Sequence, residues 1–191
     1  MEISTFISLG LITGLLVYAI TIYNQLVILK HSVSKSWANI DVLLKQRHDE
    51  LPKLIEVCKQ YMGYEKDTME RVIKARSAVA SAREKTDIQA LGAAETQLRM
   101  GLGNLFALAE SYPDLKADQS FQHLQSRITG LENSIADRRE FYNEAVNNNN
   151  VRIEQFPDVI IARFFNFKEA ELLEFSEEEK ADVDVKALFS Q

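Results

Sequence analysis

An all-α fold is what this chain predicts: a four-helix bundle of long antiparallel helices following an N-terminal transmembrane helix. Three observations carry that expectation. Turn-formers are scarce, with seven Gly and three Pro in 191 residues, which disfavours many short strands. Apolar residues recur in alternating steps of three and four, the spacing of one helical face. Finally, no charged residue stands between Ile3 and Leu29.

That charge-free stretch is the first element. As a helix it reaches roughly 40 Å at ~1.5 Å per residue, enough for a hydrocarbon core of ~30 Å. Its most apolar part, Phe6 to Ile22, fits a single span through a lipid bilayer, with Tyr18 and Tyr23 near one interface. A cleaved signal peptide is the competing reading, but there is no basic n-region and no small-x-small cleavage site. A buried core helix competes less well, because the apolar residues run all the way round. Lys30, Lys35, Lys45 and Arg47 follow the span, whereas Glu2 precedes it. The positive-inside rule then puts the N-terminus outside and the rest of the chain in the cytoplasm, at the inner membrane. The expected organisation is a membrane anchor over 1–23, a helical bundle over 24–167 and an acidic tail over 168–191.

Past the anchor, Val33, Trp37, Ile40, Leu44, Arg47, Leu51, Leu54, Cys58 and Tyr61 keep one helical phase straight through QRHDELPKL. Pro52 lacks the N–H that would bond the carbonyl of His48. The spacing therefore predicts one helix, Tyr23 to Met62, kinked near His48. A turn at Asp49-Glu50, with Pro52 opening a new helix, is the alternative. A second helix is expected from Tyr64 to Glu84 with Met69, Val72, Ile73 and Val79 inward. Asp87 reads as the N-cap of a third, whose seam is Leu91, Ala94, Leu98, Leu102, Leu105 and Ala109 and which ends before Pro113. The fourth opens near Asp118 and shows Phe121, Leu124, Ile128, Leu131, Ile135, Arg138 and Tyr142. Four asparagines, Asn147 to Asn150, should end it. The segment VIIARFF after Phe156-Pro157 is then expected to pack back on the bundle.

The formal charge of −6 resides mostly in the acidic tail, so the body lacks the basic face that phosphate backbones demand, and nucleic acid is not an expected partner. Cys58 is the single cysteine, which excludes an intrachain disulfide and a zinc knuckle, and as a seam residue it reads as core. His31, His48 and His123 make no HxxxH, HxxE or ExxH pattern, so no metal site is expected. No glycine-rich phosphate loop is present and no cofactor is implied. Arg47-His48-Asp49-Glu50 offers a base, carboxylates and a guanidinium, yet His48 and Asp49 point about 100° apart on a helix. The preferred reading is a structural polar layer at the helix kink, made of Arg47, His48, Asp49, Pro52 and Arg138. Asp49, Glu50, Asp137 and Glu140 would be the carboxylates for the two seam arginines. The closing VKALF of the tail could instead bind a partner.

The stretch YNQLVILKHSVSKSWANIDVLLKQRHDELPKLIEVCKQYMGYE resembles the opening of the LemA family, whose members read close to Y-N-x-L-V-x-L and W-A-x-I-D-V-x-L-x-x-R-x-D-L-I-P-N-L. YPDLKADQSFQHLQ, ENSIADRREFYNEAV and FP-x-x-x-x-A-R-F-F continue it from Tyr23 to Phe167. Ser36, Glu50, Leu51 and Lys53 depart from the usual residues without disturbing a helix. The resemblance implies a membrane-anchored helical bundle in a bacterium and no established catalytic residues. Two functions stay open. One is a non-enzymatic interaction or scaffold module for an unknown protein partner. The other is a membrane-tethered hydrolase using Arg47, His48 and Asp49.

Overall fold

The computed structural model describes residues 2–174. Among them the chain is helical and contains no strand, in the order α1 (Glu2–Tyr61), α2 (Lys66–Lys85), α3 (Ile88–Ala109), α4 (Pro113–Ala117), α5 (Gln119–Glu154) and α6 (Asp158–Phe164). The all-α expectation holds. The helix expected to begin at Tyr23 is the later part of a longer one, since α1 runs without a break from the charge-free stretch through Pro52. A turn at Asp49-Glu50 is thereby excluded. The described chain falls into two compact units, one of residues 2–40 with 137–172, the other of 41–136 with 173 and 174.

The second unit takes α1 from Asp41, all of α2, α3 and α4, and α5 up to Ala136. Arg83 and Arg76 of α2 meet Asp41 and His48 of α1, so the two helices run antiparallel. Glu50 with Arg127 and Arg47 with Glu132 set the same opposition between α1 and α5. Each helix turns the expected seam inward, among it Leu51, Leu54 and Cys58 of α1, Leu98 and Leu105 of α3, and Phe121 and Ile128 of α5. Two positions in this unit are corrected, and one of them, Tyr61, lies exposed at the end of α1. Ile73 is exposed, and the inward face of α2 is Met69, Val72, Ala75 and Val79, because a residue one step past Val72 is turned about 100° away. Gly101 allows the close approach of α2, since a Cβ there would lie 3.3 Å from Val72 Cγ2. The helix starts fall where expected: Asp87 accepts from the Ala90 N–H, and Asp118 from the Phe121 N–H, both at 2.9 Å. Helix α3 ends at Ala109, ahead of Pro113, which opens α4.

In the first unit, Trp37 stacks on Tyr142 with ring centroids 5.9 Å apart, and Arg152 donates to Gln25 at 2.6 Å. Here too α1 and α5 are antiparallel. Ile22, Leu26, Ile153 and Ala162 form a small core joined by Ile161 and Phe167, so the apolar segment after Pro157 is α6, packed on α1 and α5. Ile22, the last residue of the expected span, is covered by this core. From Ile3 to Ile20, by contrast, the large apolar side chains of α1 are exposed, and the helix is long and apolar enough to cross a membrane by length and composition.

The four asparagines do not end α5, which continues to Glu154. The amides of the last two, Asn149 and Asn150, hold the chain that follows α6. Asn149 donates to the Lys168 carbonyl at 3.4 Å, and Asn150 both donates to the Ala170 carbonyl and accepts from its N–H, each at 2.9 Å. Tyr142 adds a bond to the Glu171 carbonyl. In the second unit Leu173 is buried, and the Glu174 carbonyl lies over Gly92 where a Cβ would collide with it. The rest of the acidic tail, VKALF included, lies outside the described residues.

Glycine in a helix interior costs about 1 kcal/mol relative to alanine, and a Cβ at Gly103 would meet nothing within 4 Å. Gly103→Ala should therefore raise the melting temperature of the detergent-solubilised chain, while Gly92→Ala should lower it by displacing Glu174. Thermal unfolding followed by circular dichroism checks both signs.

Candidate functional site

Arg47 is the largest fully buried side chain, at 1% exposure. It occupies a seam position because α1 keeps its phase through QRHDELPKL, so the guanidinium has to find its counter-charges inside. It finds them on two other helices. One terminal nitrogen donates to Glu95 of α3 at 2.5 Å and the other to Glu132 of α5 at 2.6 Å. Arg99 stands 3.7 Å from the second oxygen of Glu132, giving two cations and two carboxylates in alternation. The expected partners Asp49, Glu50, Asp137 and Glu140 are not the ones used. Asp49, two positions on and so about 200° round the helix from Arg47, is exposed, and Glu50, though one turn on from Arg47, pairs with Lys53 and Arg127. Burial pushes the Glu95 carboxyl above the usual carboxylate range even with Arg47 beside it. The Arg47 guanidinium, between two carboxylates, stays charged.

His48 and Pro52 belong to one device. Pro52 has no N–H, so the helical ladder leaves the His48 carbonyl without its usual donor. Arg76 of α2 supplies one, from Nε at 3.0 Å, and its terminal nitrogen reaches His48 Nε2 at 2.6 Å. Arginine has only donors, so Nε2 accepts and the ring proton sits on Nδ1. Burial and the adjacent Arg76 charge both hold the His48 pKa below its ordinary value. The ring is thus neutral, with its one basic lone pair already engaged. Arg138, expected in the same layer, lies elsewhere: it is exposed in the first unit, with its guanidinium 5.7 Å from the centroid of the Phe141 ring.

The structure therefore gathers Arg47, His48 and Pro52 with Glu95, Glu132, Arg99 and Arg76, and leaves Asp49 and Arg138 outside. The added residues carried a signal. Glu95 lies four past Leu91 and three before Leu98, and Glu132 four past Ile128 and three before Ile135, so both acids sit in seam phase. Arg76 carried none, because its target is a backbone carbonyl. Chemically the layer can hold helices in register, and the His48 Nε2 that looked like a base is engaged by Arg76. Burial also pushes the Cys58 thiol up to about 11, far from thiolate at neutral pH.

A family model described as the LemA family matches residues 36–187. The Magnetosome protein MamQ 2 of Paramagnetospirillum magneticum is 24% identical over 186 residues, covering 85% of this chain and 68% of its own. The Protein LemA of Metamycoplasma hominis is 25% identical over 166 residues, covering 86% and 74%. The Magnetosome protein MamQ of Magnetospirillum gryphiswaldense is 31% identical over 70 residues, covering 37% and 26%.

Removing one member of a buried charge pair costs about 3–5 kcal/mol, so Arg47→Ala should show a loss of that order in chemical denaturation. Arg76→Met should be destabilising too, and less so in the Pro52→Ala background, where a new N–H takes the His48 carbonyl; a double-mutant cycle measures the coupling. Because His48 binds its proton less well folded than unfolded, stability is full above the unfolded pKa of ~6.5 and falls as the pH drops through it. Melting temperatures between neutral pH and pH ~5 should show that fall in the wild type and a shallower one in His48→Gln.

Proposed function

The chain belongs to the LemA family, and from that premise we propose that it is a non-enzymatic module, tethered to the inner membrane by the first part of α1, that presents its helices to a protein partner at the cytoplasmic face. One observation carries the reading. A single uninterrupted helix bears the exposed apolar stretch from Ile3 to Ile20 and, from Ile40 to Cys58, the buried seam of a folded domain. Exposed apolar surface of that extent needs a solvent other than water. The polar groups that looked like chemical equipment are engaged in the fold: Arg47 with two carboxylates, His48 with Arg76. The lysines that follow the apolar stretch set the orientation.

Two measurements test it. Cys58 is fully buried, so a thiol introduced as Ser126→Cys, at an exposed position, is the one that a membrane-impermeant reagent reaches. It should label after lysis and not in intact cells; labelling of intact cells reverses the orientation. His48→Ala should preserve cellular function wherever it preserves folding. A His48→Ala chain with unchanged melting behaviour and complete loss of function would instead favour a hydrolase.

A further inference from the structure

Helix α6 has two apolar faces, and only one of them is used inside the protein. Ala162 and Ile161 pack on Ile22, Leu26 and Ile153. The other side carries Ile160 and Phe164, four residues apart and so on one face, with Phe156 on the turn that leads in. These are 57, 81 and 83% exposed respectively. One exposed ring is ordinary, whereas three large apolar side chains exposed on one short helix and the turn just before it mark a surface made to be covered.

Its height along α1 identifies the cover. The exposed apolar run from Ile3 to Ile20 reaches roughly 27 Å at ~1.5 Å per residue, close to the ~30 Å of a hydrocarbon core. The ledge is fastened immediately past its end: Ile22 and Leu26 lie in the core that holds α6, and the Tyr23 ring meets Phe165 at a tilt and Phe167 edge-on, with centroids 4.7 and 5.9 Å away. Ile22 and Tyr23 stand only about 3–5 Å beyond Ile20 at that rise, within the headgroup layer of ~5–7 Å on each side of the core. Aromatic side chains are at home there. Arg163, also exposed on α6, suits the phosphates of the same layer.

We propose that Phe156, Ile160 and Phe164 form a ledge inserted into the headgroup–acyl boundary of the leaflet from which α1 emerges, giving the module a second, in-plane membrane contact. The proposal rests on α1 crossing the bilayer. A protein cover on this face would have to displace lipid already a few ångströms away, so the bilayer itself is the occupant.

The full-length chain in phosphatidylcholine–phosphatidylglycerol vesicles, spin-labelled at Phe164→Cys or at Leu11→Cys with Cys58 left buried, reads the depth of each site from collisions with oxygen and with a water-soluble nickel chelate. The expected result is a deep Leu11 site and a shallow but lipid-exposed Phe164 site, with oxygen collisions exceeding nickel collisions at both. A deep Leu11 site beside a Phe164 site dominated by nickel collisions overturns the ledge and leaves the tether standing. A Phe164 site shielded from both agents overturns it in favour of a protein cover. If the Leu11 site itself is water-exposed, the tether fails and the ledge falls with it.

Discussion

A guanidinium with almost no access to water is the constraint around which the second unit is arranged. Arg47 lies on the seam of α1 and cannot leave it without tearing the apolar contacts above and below. Its charge is tolerable only while carboxylates reach it, and those come from α3 and α5, far away in sequence. A slip of either helix by one turn of ~5.4 Å would withdraw a carboxylate and strand the arginine. An apolar seam alone would accept such a slip more readily, since one leucine resembles the next. The ionic layer therefore selects one register among several that packing would allow, which is the best-attested use of buried charge.

The first unit solves a different problem, the anchoring of a chain with no regular structure of its own. Residues after α6 lack helical hydrogen bonds, and their backbone groups need partners wherever they are shielded from water. Asparagine suits the task because one amide both donates and accepts. Asn150 uses both capacities on Ala170, while Asn149, though almost fully buried, is satisfied by Asn150 and Lys168. Side chains thus do for this stretch what a neighbouring strand would do in a sheet.

The helices themselves were legible because a three-four seam is a local property, repeated many times along α1, α3 and α5. Asp87 and Asp118 were legible as helix starts for the same reason: the bond they make is three residues long. What escaped was whatever depended on a distant partner. The acids around Arg47 were first sought among its sequence neighbours, although Glu95 and Glu132 already stood in seam phase. The asparagine run was read as a helix end because its true partners, backbone groups near residue 170, leave no mark on the pattern. Arg138 kept the phase of its seam but lies at the surface, where its guanidinium stands over the Phe141 ring, since a long cationic side chain can leave a face that a leucine could not.

The bond from Arg76 to the His48 carbonyl also bears on how the chain is made. Inside an ordinary helix every link is closed by a residue four positions away, so the helix completes itself as it emerges. At Pro52 the closing group arrives twenty-eight residues after the carbonyl it serves, which at ~5–20 residues per second is a delay of roughly 1–6 s during synthesis. Until α2 exists and folds back, this turn of α1 lacks its brace. The His48 carbonyl of α1 is therefore satisfied only after α2 has been made and has folded back against it.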